Sequence, residues 1–283
     1  MLVKMSSQPQ PVEAGDRTGR AYWDGWWARR PLPQTLDPYR KGLKNYPYRR
    51  FHQFYSRLFG SDAPGRRLIE IGCAQSVYLP YFARYHGLRV AGIDRSELGC
   101  ERARKILEKE SVAADIYCGD FFAPPPGTVG VFDWAVSYGV LEHFDDTGAA
   151  VAAVSRFLKP GGRVITFVPN LTGALGRYQR LLDRKLYEAH VPLSAEALAR
   201  AHRDSGLEVE CARYLLPFGL EVTGIETWGW GAAGLAVKVA NTAVTRSVRF
   251  VDDHILRLKP NRWTSPYVVC VARKPAADGQ VSP

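Results

Sequence analysis

Between residues 67 and 170 short apolar runs alternate with amphipathic stretches in a regular order. The runs at 68–71, 88–93, 114–117, 132–137 and 163–168 have the length and composition of buried strands. Helical spacing of apolar positions separates them near 76–85, 96–110 and 146–157. Strand and helix in strict alternation predict βαβ units and a parallel sheet. Lys159-Pro-Gly-Gly162 reads as a sharp turn into the fifth strand. Ser194 has the position of an N-cap and Gly206 that of a helix stop, which leaves 207–214 as a sixth strand and 267–271 as a seventh.

The pattern changes outside this region. Residues 1–18 lack apolar periodicity and read as a disordered tail. Residues 19–60 carry eleven of the chain's 33 aromatic residues, broken by Pro31, Pro33 and Pro38. Only 48–59 has clear helical spacing, with Phe51, Phe54, Tyr55 and Leu58 on one face, and the stretch reads as an aromatic cap over the sheet's edge. The remainder, 61–283, forms the main domain. Within it, 215–261 is too long for a passive connection and is expected to be a lid insert, with an apolar, Lys/Arg-edged helix near 234–250.

Composition narrows the class further. The 283 residues, 46% hydrophobic and 23% charged, are those of an ordinary globular protein. No apolar run approaches the roughly 20 residues that span a bilayer, and the first 20 residues lack the apolar core of a signal peptide, so a cytoplasmic location is expected. Five scattered cysteines form neither a disulfide framework nor a zinc spacing and read as reduced, buried thiols. Of the net charge of +10, +7 lies in residues 1–60, a field that favours an anionic partner without naming it.

The chemistry centres on Glu70-Ile-Gly-Cys-Ala-Gln-Ser76, where the first strand enters a glycine turn and then a helix. A dinucleotide site needs three glycines for its pyrophosphate, and here Ala74 and Ser76 follow a lone Gly72. Glu70 repels phosphate but accepts from a cationic amine. Val90-Ala-Gly-Ile-Asp94 ends the second strand with a carboxylate placed for ribose hydroxyls. A ribose without phosphates and a cationic amino-acid tail together describe S-adenosylmethionine (SAM).

With these motifs in order, the chain resembles the class I SAM-dependent methyltransferases, closely over 67–170. Gly119-Asp120-Phe-Phe122, the fourth-strand segment Asp133-Trp-Ala-Val-Ser-Tyr-Gly-Val-Leu-Glu-His-Phe144 and Leu158-Lys-Pro-Gly-Gly162 complete the likeness. It implies a Rossmann-like α/β fold, a seven-stranded, mostly parallel sheet with an antiparallel last strand. It further implies that Asp94 holds the ribose, that Asp120 receives the adenine amino group with Phe121 or Phe122 against the ring, and that Tyr138 and Gly139 flank the methionine part. Glu70, Gly72, Cys73, Ala74, Gln75, Arg95 and Gly119 complete the expected cofactor set. Ala74 and Ser76 stand where family members usually have glycine.

His143 is the first candidate base, because it follows the fourth strand at the crevice and titrates near neutral pH. Glu142, Tyr138 and His190 are the other catalytic candidates. Methyltransferases with a Glu-x-x-Glu-His cluster hold a divalent ion there; Gly139 takes the first position here, Glu142 and His143 offer too few ligands, and no metal is expected. Tyr22, Trp23, Trp26 and Trp27 in the cap, with Trp228 and Trp230 in the insert, are expected to line an acceptor pocket. The resulting expectation is methyl transfer to oxygen or nitrogen of a small molecule. The alternatives are a lipid or prenylated acceptor met through peripheral membrane contact, an RNA methyltransferase, and a SAM-fold binding protein without catalysis. RNA is less favoured, since the fourth strand lacks the Asn/Asp-Pro-Pro-aromatic signature. Oligomeric state is not encoded legibly.

Overall fold

A computed structural model describes residues 15–220, 223–224 and 231–276. All seven expected strands form: β1 (Arg67–Ile71), β2 (Arg89–Asp94), β3 (Ala114–Cys118), β4 (Phe132–Tyr138), β5 (Leu158–Pro169), β6 (Glu208–Leu215) and β7 (Tyr267–Arg273). They make one sheet in the order β3-β2-β1-β4-β5-β7-β6, in which only β7 runs against the rest. Strand order reverses between β1 and β4. A crevice opens there at their carboxyl ends, the usual binding position in such sheets.

The helices follow the periodicity. They are α1 (Gly19–Ala28), α2 (Tyr46–Phe59), α3 (Tyr78–His86), α4 (Glu97–Lys109), α5 (Thr147–Ser155), α6 (Ala174–Leu182), α7 (Arg184–Glu188), α8 (Ala195–Asp204) and α9 (Ala232–His254). Ser194 caps α8 as expected, its Oγ accepting from the Ala197 amide at 3.1 Å. Alternate residues of β1 serve two cores: Leu68 joins Phe82 and Phe59 on one face, while Ile69 and Ile71 join Val151 and Val154 on the other.

Five expectations change. Residues 15–18 do not continue the tail: Asp16 pairs with Phe144 in a β-bridge, and Arg17 N donates to His143 O at 2.9 Å. Within the cap, α1 is helical too, because positions 22, 23, 26 and 27 put four rings on one helical face. The cap also divides. α2 lies against the sheet's face rather than its edge, with Phe51 5.6 Å and Phe54 5.7 Å from the Phe167 ring. Lys159-Pro-Gly-Gly162 is not a turn before β5 but lies within it, beside a register shift opposite Phe132 and Trp134. Among the thiols, Cys73, Cys100 and Cys270 are buried, Cys211 is half-buried, and Cys118 is exposed, all unpaired.

Candidate active site

The β1–α3 turn is built from backbone and short side chains. Gly72 takes φ +77°, and a Cβ there would meet Val140 Cγ2 at 2.4 Å, so only glycine lets the β1 and β4 turns approach. Gly72 N and Cys73 N donate to Ile93 O, and Ala74 N donates to Asp94 Oδ2 at 3.0 Å. The two non-glycine positions have structural partners. The Ala74 methyl sits where a Cβ on Gly99 would lie 2.5 Å away, so the bulk added at 74 is offset by a glycine on α4. Ser76 Oγ donates to Glu70 Oε2 and accepts from the Tyr78 and Leu79 amides, starting α3.

These turns line a cavity of about 260 Å³. Its walls include Glu70, Gly72, Ala74, Gln75, Asp94, Arg95, Gly119, Phe121, Tyr138 and Gly139 from the expected cofactor set. Cys73, Asp120 and Phe122 are not among them. Cys73 points into the core against Gly92. Asp120 is turned toward Arg95, whose Nη2 donates to it at 3.0 Å, while its other oxygen accepts from Phe122 N at 2.9 Å. Arg95 Nη1 donates in turn to Asp16, so a guanidinium clasp ties the N-terminal segment to the β3 end. Asp16, Thr18, Trp23 and Trp27 supply cavity wall from the N-terminal segment. Sequence reading missed Asp16 and Thr18, and the signal was weak: an Asp-x-Thr-Gly helix start, which Asp16 caps through the Thr18 and Gly19 amides.

The electrostatics suit a ligand with both signs of charge. Burial pushes the Glu70 carboxyl up to about 8, and the nearby Asp94 charge adds to the rise. Burial likewise pushes Asp94 to about 6, against the amides of Ser96 and Ala74 that favour its ionised form. Two buried donors in these walls, Gln75 Nε2 and Trp27 Nε1, have no partner among the described residues. Tyr138 is stacked between Tyr78, at 4.1 Å, and Phe167, at 4.8 Å, and its hydroxyl meets that of Tyr55. Burial drives its phenol well above the ordinary range, which makes it a rigid wall rather than a base.

A second cavity of about 340 Å³ adjoins the first and shares Trp23, Gly139 and His143 with it. Tyr22, Trp26 and Arg30 line it from the cap, and Gln179, Leu186 and His190 from the far side. Trp27 faces the first cavity instead, and Trp228 and Trp230 lie outside the described residues. At its base the 3-10 turn Leu141–His143 brings Glu142 and His143 beside His190. The Glu142 carboxylate is fully buried, neither oxygen has a hydrogen-bond partner among the described residues, and burial raises it to about 8. His143 Nδ1 donates to Ala189 O at 2.8 Å and His190 Nδ1 to Leu186 O at 2.7 Å, which leaves each Nε2 as an acceptor. Burial and the neighbouring His190 lower His143 to about 3, so it is neutral at physiological pH. The count of two potential metal ligands rises to three here, since donor atoms of Glu142, His143 and His190 lie within 4.8 Å of one another.

A doubly wound sheet, a glycine turn at its switch point and paired acids at the ends of β1 and β2 define a nucleoside-binding α/β domain of the methyltransferase type. A family model described as "Methyltransferase domain" matches residues 41–212, and the chain belongs to that family. The ubiquinone biosynthesis O-methyltransferase of Thiobacillus denitrificans is 31% identical over 157 residues, which cover 52% of this chain and 66% of that protein. The protein of the same name from Aromatoleum aromaticum is 30% identical, covering 73% and 85%. The chain thus spans a little under two thirds of the Thiobacillus relative and 62% of a Rhodopseudomonas palustris one. Among solved structures, the [4+2]-cyclase SpnF superposes with TM-score 0.61 at 18% identity, covering 94% of this chain and 98% of that one. Geranyl diphosphate C-methyltransferase from Streptomyces coelicolor gives 0.55 at 16%, covering 89% and 96%. Neighbours with one fold but different named reactions leave the reaction to be argued from the site.

Proposed function

We propose that the protein is a SAM-dependent methyltransferase acting on a hydroxyl of a small molecule. The observation that carries this reading is the pair of adjoining cavities that share Gly139, His143 and Trp23: one suited to the cofactor, the other with the two Glu142 oxygens at its base lacking a hydrogen-bond partner among the described residues. In this reading Glu70 takes the ammonium, Gln75 Nε2 the carboxylate, Asp94 the ribose diol and Phe121 the adenine, a reading supported by their common place in the walls of the first cavity. The ubiquinone-pathway relatives, named as O-methyltransferases, favour oxygen as the acceptor atom.

When bound, SAM supplies an electrophilic methyl group on a sulfonium. The protein's part is alignment and a dry path, since displacement at that carbon gains most from a fixed in-line approach. Trp23, Gly139 and His143 form the shared wall and exclude water. A hydroxyl held at the base of the second cavity would pass its proton to the Glu142 carboxylate as it is methylated. That carboxyl, near 8, matches the operating pH better than the His143 imidazole, near 3. His143 and His190 then act as acceptors that orient the hydroxyl.

A prenylated or lipid acceptor is a second reading. It is favoured by the wall at Gln179 on α6, whose neighbour Tyr178 bonds to α9, a helix with an exposed apolar face. An RNA acceptor has less support, because rings that would stack on bases are committed inward: Trp23 and Trp27 to the cavity, Phe51 and Phe54 to the core. Calorimetry with SAM and S-adenosylhomocysteine (SAH), followed by methyl-transfer assays on phenols, tests the main reading. Failure to bind either cofactor sinks it; binding without turnover on any acceptor returns the chain to a binding role.

A further inference from the structure

Helix α9 is built inside out. Its inward side carries polar groups: Asn241 Oδ1 accepts from Tyr178, Thr245 Oγ1 from the Leu220 amide at 3.1 Å, and Asp252 from the Tyr46 hydroxyl. At 100° per residue these three positions fall within about 40° of one another. On the opposite side, Leu235, Val239 and Phe250 lie within about 60° of each other. They are 55%, 60% and 47% exposed, and Ile255 and Leu256 continue the exposed apolar surface past the helix end. A helix of a globular protein normally presents the reverse arrangement. Polar anchoring inward with apolar side chains outward needs a partner for the outer face.

We infer that the outer face of α9 docks on an anionic lipid surface, with the helix lying in the interface. Charge selects this occupant. Lys238, Arg246 and Lys259 are exposed along the same segment, whereas its only acids are internally balanced: Asp252 is buried beside Arg257, and Asp253 pairs with Arg49 and Arg257. A second copy would bring the same cations together on a chain of net charge +10, whereas an anionic bilayer meets apolar and cationic groups at once. Spanning is not the mode, as no helix among the described residues is long and apolar enough to cross a membrane. Docking also sets the acceptor cavity near the lipid, through the Tyr178–Asn241 bond between α6 and α9. The inference is independent of the methyl-transfer reading.

Co-sedimentation of the full chain with vesicles of equal parts phosphatidylglycerol and phosphatidylcholine tests it. The protein is expected to pellet with these vesicles and to remain in solution with phosphatidylcholine alone. Each cation neutralised, Lys238→Gln or Arg246→Gln, should weaken binding about fivefold. The pair Val239→Glu and Phe250→Glu should keep the protein in the supernatant while melting temperature and SAH binding stay as in the wild type, since both positions are exposed. Wild-type protein that ignores anionic vesicles overturns the inference, as does a double variant that still pellets. A concentration-dependent dimer abolished by the same variant, without vesicle binding, assigns the face to a second copy and overturns it equally.

Discussion

The Glu70→Gln substitution separates the cost of burying an acid from its use. Glu70 sits in β1 at 3% exposure, and burial moves its carboxyl from 4.5 to about 8. Because the folded value lies above the unfolded one, the folded state holds the proton more tightly. The stability this confers is complete below about 4.5 and is lost progressively until about 8. Between pH 6 and pH 8.5 the loss from this one group is about 2–3 kcal/mol, or roughly 5 °C of melting temperature in a chain of this size. Glutamine keeps an acceptor for Ser76 Oγ and cannot ionise. Melting curves of ligand-free wild type and variant should therefore coincide most nearly at low pH and diverge by about that amount toward pH 8.5. Glu142 titrates in both proteins and cancels from the difference. Saturating SAH should shrink the divergence, its ammonium supplying the missing opposite charge. Parallel pH curves for the two proteins would refute the reasoning, because an acid shifted this far cannot be silent.

Other outcomes follow from single contacts. Asp94→Ala should weaken SAM binding about 10- to 100-fold by calorimetry, since it removes the proposed ribose acceptor together with the anchor of the Ala74 amide. Glu142→Gln should abolish a rising limb of kcat/KM near pH 8, whereas His143→Gln should lower the rate without moving the limb; a limb that survives the first change assigns the base elsewhere. Gly99→Ala should cost about 1–3 kcal/mol against the Ala74 methyl, and adding Ala74→Gly should restore most of it in a double-mutant cycle; purely additive effects would deny the contact. Arg17 ties the N-terminal segment to Asp145 and to the carbonyls of Glu188 and His190, so Arg17→Ala should speed SAH release about tenfold in stopped-flow measurements; an unchanged off-rate would show that the segment does not limit exchange.

Glycines at 92 and 99 explain how a motif with one glycine in place of several still forms a tight turn. Space surrendered by β2 and α4 is taken up by Cys73 and Ala74. Ser76 replaces conformational freedom with a hydrogen bond to the acid it neighbours. Both departures are compensated locally, and neither blocks the cavity that Ala74 and Ser76 line.

By itself the sequence determined the sheet and its crevice, because strand and helix periodicity, the Gly72 turn and the Ser194 cap are local features that act over a few residues. Glu70 and Asp94 were legible for the same reason: each ends a strand whose register fixes its place. Only the tertiary structure decided the rest. Asp16, Arg95 and Asp120 meet across 79 and 25 residues of chain, and that clasp occupies the Asp120 carboxylate that likeness had assigned to the adenine. His190 reaches Glu142 and His143 because the Arg17 guanidinium and the Val191 amide draw the segment after α7 against the β4 turn. The outward apolar face of α9 was equally hidden, since an amphipathic pattern states that two faces differ and not which one is buried. These features depend on side chains brought together by the packing of distant elements, and spacing along the chain carries no record of that packing.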